Sequence, residues 1–169
     1  FDKDGDIDIV LSSIDWVKND GELICLWNNG KGKLTSKVCG DKWGFIVRHG
    51  DFNNDGYIDF LVGGHTSECY EFHDNWIGHH PKSKRRHRLV ILWGNGTQRW
   101  SDTNSQEIRS VGYHQKTSSK VPLCMPVGVF IGDIDNDGDN DFVGSTIGLN
   151  YAGGYLISYL NDGIGNFEI

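Results

Sequence analysis

The chain has only three prolines, no CxxC pair, no surplus of basic residues and no long apolar run. A membrane-spanning helix needs ~20 consecutive apolar residues, so none is expected and no membrane insertion of this segment follows. The N-terminus lacks the basic and apolar regions of a signal peptide, so residue 1 is expected to lie beyond any targeting segment. A net charge of −7 argues against nucleic acid as a partner, because phosphate-binding surfaces are normally basic. Cysteines without CxxC spacing argue against a zinc ribbon or a thioredoxin-like motif. The even set Cys25, Cys39, Cys69 and Cys124 favours disulfides over buried free thiols. Cys25 with Cys39 and Cys69 with Cys124 is the preferred pairing, although four cysteines allow three.

What is present points to an all-β chain. Glycine numbers 23 and aromatics make up 12% of 169 residues, which suits short strands joined by glycine turns better than helices. A hydrophobic share of 37% fits one soluble domain, or part of one. The acidic charge is concentrated: twelve aspartates fall in residues 2–8, 51–59 and 133–141. Carboxylates crowded in this way repel one another unless a cation sits among them.

These stretches are one motif. Asp51-Phe-Asn-Asn-Asp-Gly-Tyr-Ile-Asp59 aligns without gaps on Asp133-Ile-Asp-Asn-Asp-Gly-Asp-Asn-Asp141. Asp2-Lys-Asp-Gly-Asp-Ile-Asp8 fits the same template without its first Asp, so further chain is expected before residue 1. Each loop is followed by a β-prone run (residues 9–13, 60–64 and 142–146). Later comes an apolar segment ending in an Asn-Gly type turn, at Gly30, Gly96 and Gly163. Such turns between apolar runs signal tight hairpins. Further strands are expected before the loops, at 43–50 and 127–132, and after the turns, at Leu34 and Phe167. The unit is then a four-stranded antiparallel meander, the blade of a β-propeller. Three units are expected, approximately 1–42, 43–122 with insertions, and 123–169. Turn glycines recur 66 and 67 residues apart, which exceeds a typical blade and reflects insertions.

The motifs GD-x-[DN]-x-DG-x-x-D, LWxNxGxG and YLNDGxGxF resemble the FG-GAP/VCBS family of propeller repeats, which is related to integrin α-subunit blades. That resemblance implies a propeller usually of seven blades, calcium in the blade loops and an extracellular setting. Three blades do not close such a ring, so the missing blades are expected from the rest of the chain or from other subunits.

Calcium takes about six to eight oxygen ligands, and alternating carboxylates with one backbone carbonyl can wrap it. The expected ligands are Asp51, Asn53, Asp55 and Asp59 with the Tyr57 carbonyl, and Asp133, Asp135, Asp137 and Asp141 with the Asp139 carbonyl. The first loop offers Asp2, Asp4 and Asp8 with the Asp6 carbonyl. An EF-hand needs a bidentate Glu at position 12 and flanking helices, whereas Val62 and Gly144 stand there within β-prone runs. Metal-free acidic turns are the bland alternative, disfavoured by the repeated spacing.

Outside the repeat, the basic run 82–88 with His73, His79 and His80 reads as a solvated loop or a contact for an acidic partner or sulfated glycan. Trp100, Tyr113 and His114 either pack or stack on sugars. Trp27, Trp93 and Tyr159 are assigned to packing between blades, and Arg48 and His49 to a strand. Asn95-Gly-Thr97 is a glycosylation sequon that doubles as a hairpin turn. No catalytic constellation is visible, so the expectation is a calcium-stabilised extracellular module recognising protein or glycan. The alternatives are a propeller portion of a carbohydrate-active enzyme, such as a polysaccharide lyase, or a lectin.

Overall fold

The computed structural model describes residues 1–15, 20–40, 44, 46–63, 89–108, 125–147 and 154–169. The disulfide expected between Cys69 and Cys124, the basic run with its histidines, Tyr113 and His114 lie outside the described residues.

Three antiparallel sheets follow one another along the chain. The first contains β1 (Ile9–Asp15), β2 (Asp20–Asn28) and β3 (Leu34–Gly40). In the second, β4 (Ile46–Gly50), β5 (Asp59–Gly63), β6 (Leu89–Leu92) and β7 (Ser105–Ile108) pair in chain order, with one 3-10 turn at Asp102–Asn104 before β7. The third repeats that order with β8 (Met125–Gly132), β9 (Asp141–Ile147), β10 (Gly154–Asn161) and β11 (Phe167–Glu168). Every neighbour pair is antiparallel, so the second and third sheets are the expected four-stranded meanders and the first is a three-stranded one. In the second and third sheets the Asp loop joins the first strand to the second. Strand β1 packs beside β4 and β4 beside β8, so the sheets stand side by side as propeller-like blades.

Strand β5 is buried at every position, and its alternation explains why. Phe60 and Val62 enter a core shared with the first sheet, containing Leu23, Cys25, Cys39, Leu92 and Trp100. Leu61 points the other way, into a core with Ile91, Val129, Phe142 and Tyr159 that joins the second and third sheets. A strand covered on both faces reads as a continuous apolar run. Trp100 is 3% exposed and its Nε1 donates to the Ile58 carbonyl at 2.7 Å, so it packs and is not a sugar platform.

The phase expected for Tyr159 is corrected by one residue. Leu26 faces Ile9, Leu92 faces Phe60 and Tyr159 faces Phe142, so Tyr159 is in register with the leucines. Leu160 is the residue matching Trp27 and Trp93. Tyr159 stacks on Phe142 of its own sheet at 4.4 Å, an offset pair that fills the shared core. Trp93 does reach the next blade, where its ring lies against Gly165.

Cys25 and Cys39 form a disulfide between β2 and β3. Arg48, in β4, donates from Nε to the Val129 carbonyl of β8 at 2.9 Å and so links two blades.

Candidate metal centre

The three Asp loops have the same backbone. Position 4 is left-handed in each, at Lys3 (φ 66°), Asn54 (55°) and Asn136 (67°). Position 6 is also left-handed and is glycine each time: Gly5 (93°), Gly56 (81°) and Gly138 (100°). Asn tolerates this region and Gly occupies it freely, so both loops of Asn-Asp-Gly sequence are shaped locally.

The carboxylates organise the amides. Asp51 accepts from the Asp55 and Gly56 amides, and Asp133 from those of Asp137 and Gly138. Position 5 accepts from the amide two residues on: Asp4 from Asp6, Asp55 from Tyr57 and Asp137 from Asp139. Position 3 does likewise in two loops, Asp2 accepting from Asp4 and Asn53 from Asp55. These amides converge on the loop carboxylates before any cation is added.

Position 9 carries a role the sequence reading did not assign. One oxygen of Asp59 accepts from Phe52 N at 2.8 Å and the other from Gly94 N, at the end of the third strand, at 2.7 Å. Asp141 does the same with Ile134 N and Asn161 N, and Asp8 accepts the Asn28 amide on one oxygen. The carboxylate thus clasps the loop to the apolar segment before the Asn-Gly turn. Asp59 and Asp141 are fully buried. Burial pushes the Asp59 carboxyl up to about 6 against its two amide donors, and the charges of Asp55 and Asp51 push the same way. Loss of hydration, followed by the charges of Asp137 and Asp141, raises Asp135.

Position 7 covers the turn glycine in every blade. The Asp6, Tyr57 and Asp139 side chains lie where a Cβ on Gly30, Gly96 or Gly163 would project, and these glycines have φ of 72°, 77° and 76°. Loop and hairpin therefore form one unit.

In the third loop, Asp133, Asp135 and Asp141 bring one carboxylate oxygen each within 4.8 Å of one another. Their all-oxygen, acidic donor set fits a hard cation such as calcium and not a thiolate-seeking metal. In the second loop Asp51, Asn53, Asp55 and Asp59 occupy the same backbone positions, as do Asp2, Asp4 and Asp8 in the first.

The blade-joining asparagines also escaped the sequence reading. Asn140 donates to the Asp51 carbonyl at 2.8 Å, and Asn161 to the Phe52 carbonyl at 2.7 Å. Asn54 donates to Asp139 Oδ1 at 2.6 Å. The available signal was Asn at a fixed offset from the turn glycine, in Asn28 and Asn161.

A family model of the FG-GAP-like repeat matches residues 1–62, from the first Asp loop into β5. The motif resemblance therefore holds over that span, and the third blade repeats its loop and meander in structure. No curated protein and no solved structure matches the chain.

Proposed function

We propose that this chain, which carries an FG-GAP-like repeat folded as propeller blades, is part of a calcium-stabilised extracellular propeller that recognises protein or glycan and does not catalyse a reaction. The observation that carries the reading is the shared loop: three acidic turns with the same two left-handed positions and the same amide-capping carboxylates. Calcium bound there would neutralise the repelling carboxylates. Asp133, Asp135, Asp137 and Asp141 with the Asp139 carbonyl would hold it in the third loop, and Asp51, Asn53, Asp55 and Asp59 with the Tyr57 carbonyl in the second. The disulfide Cys25–Cys39 supports an oxidising compartment. Apolar side chains open on the outer blades, Ile9 and Leu11 on one and Phe130 and Leu156 on the other, suit further blades.

Such a compartment also makes Asn95 an N-glycan acceptor. It is exposed at the hairpin tip, and its Oδ1 receives the Thr97 amide and hydroxyl, while no bond to its Nδ2 occurs among the described residues. Expression through a eukaryotic secretory pathway should add glycan mass that N95Q abolishes.

Thermal unfolding with calcium, after chelation, and with magnesium tests the main reading. Each loop loaded at about a hundred times its Kd adds about 3 kcal/mol. Chelation should lower Tm, with recovery by calcium and not by magnesium; an unchanged Tm refutes the calcium assignment.

A further inference from the structure

The second and third Asp loops are joined by hydrogen bonds that the first and second are not. Asn140, at position 8 of the third loop, donates to the carbonyl of Asp51, position 1 of the second. Asn161 is 4% exposed; its backbone N–H donates to Asp141 and its side chain to the Phe52 carbonyl, while the Phe52 amide donates to Asp59. A buried path thus runs from one position-9 carboxylate through Asn161 and the Phe52 backbone to the other. Asn54 closes a second link, from position 4 of the second loop to the Asp139 side chain and the Gly163 carbonyl.

Between the first and second loops the same places hold different residues. Position 8 is Ile58, and Gly94 stands where Asn161 stands, with the Ile58 carbonyl filling the space a Cβ would need. Among the described residues no hydrogen bond joins these two loops; the contacts there are the Lys3 ammonium 4.0 Å above the Tyr57 ring and the Phe1 ring edge-on to those of Phe60 and His49, which flank the second loop.

We propose that the second and third loops bind calcium with positive cooperativity, and that the first loop lies outside this coupling; the inference rests on the calcium reading above. A cation in the third loop fixes Asp141 and the Asp139 backbone. Asn161, Asn140 and Asn54 are thereby held against the second loop, which then has less freedom to lose on binding. Two cations also repel, but the loops are exposed and acidic, so physiological salt screens that opposing effect.

Terbium, excited through Tyr57, reports occupancy of the second loop, and Y57F identifies that signal. D135N/D137N disables the third loop while keeping the side-chain oxygen that accepts the Asp139 amide. This variant should weaken terbium and calcium binding at the second loop about tenfold. In an N54G/N140A background, which removes two of the three links and touches no ligand, the same change should weaken the second loop by a clearly smaller factor, because only the path through Asn161 and Phe52 remains. Equal affinity with the third loop intact or disabled, or tighter binding when it is disabled, overturns the coupling while leaving calcium binding standing. Absence of any binding in the unaltered chain overturns both, and is recognised by the lack of signal before any substitution.

Discussion

Asp59 gives the fold an unusual dependence on acid. Its carboxyl is raised to about 6 in the folded, metal-free loop, against 3.8 for the free side chain. Between those values the folded state binds more protons than the unfolded state, so stability is fully present below the unfolded value. It is lost as pH rises through 6. A shift of about two units at about 1.4 kcal/mol each sets a ceiling near 3 kcal/mol. Only the part of that titration that falls between pH 5 and pH 7 is read by the assay, and about 1.5 kcal/mol is the expected size. Calcium in the proposed site would reverse the sign, because a cation favours the carboxylate and protons compete with it. Urea unfolding followed by tryptophan fluorescence at pH 5, 6 and 7 measures both cases, with calcium first stripped on chelating resin and then restored. His49 is pushed down, by burial first and then by the amino terminus and Arg48, and contributes with the opposite sign; H49Q removes its effect from the comparison. The stripped protein should be more stable at pH 5 than at pH 7, and the loaded protein less. Equal slopes in the two conditions would refute the account of Asp59.

Four further outcomes follow from the local structure. The Cys25–Cys39 link spans 14 residues, so its removal in C25S/C39S should cost about 3 kcal/mol in urea unfolding. Gly163→Ala forces a side chain into φ 76° beneath the Asp139 carboxylate and should cost at least about 1–2 kcal/mol. Gly132→Ala, where a Cβ meets nothing within 4 Å, should stay within about 0.5 kcal/mol of the parent in the same assay. Arg48→Lys loses the Nε donor to the Val129 carbonyl and should lower stability by about 1 kcal/mol without changing calcium affinity.

The loops, the meanders and one disulfide were legible because their signals are local. Asn-Gly and Asp-Gly turns demand left-handed backbone, and β5 announces itself as an uninterrupted apolar run bounded by Asp59 and glycine. What the pattern did not reveal depends on contacts distant along the chain. Matching aromatic to aromatic placed Tyr159 with Trp27 and Trp93, whereas pairing with Phe142 sets its register one residue earlier. The clasp between Asp59 and Gly94 joins residues 35 apart, and Asn161 reaches Phe52 across 109. Periodicity within a strand carries no information about either.

The clasp also explains why an Asp, and not an Asn, closes each loop. Two amides approach from opposite sides, Phe52 N and Gly94 N on Asp59 or Ile134 N and Asn161 N on Asp141, so both side-chain atoms must accept. An Asn would turn one of them into a donor facing a donor, leaving a buried N–H unpaired. Each carboxylate oxygen keeps a second lone pair after accepting one bond, so ligation of a cation need not displace the amide. The loops are therefore shaped by their own chain, and a cation bound there would meet a backbone turn already formed. What a bound cation would still have to order is the contact between loop, hairpin and neighbouring blade, the freedom that a cation in the third loop is proposed to remove from the second.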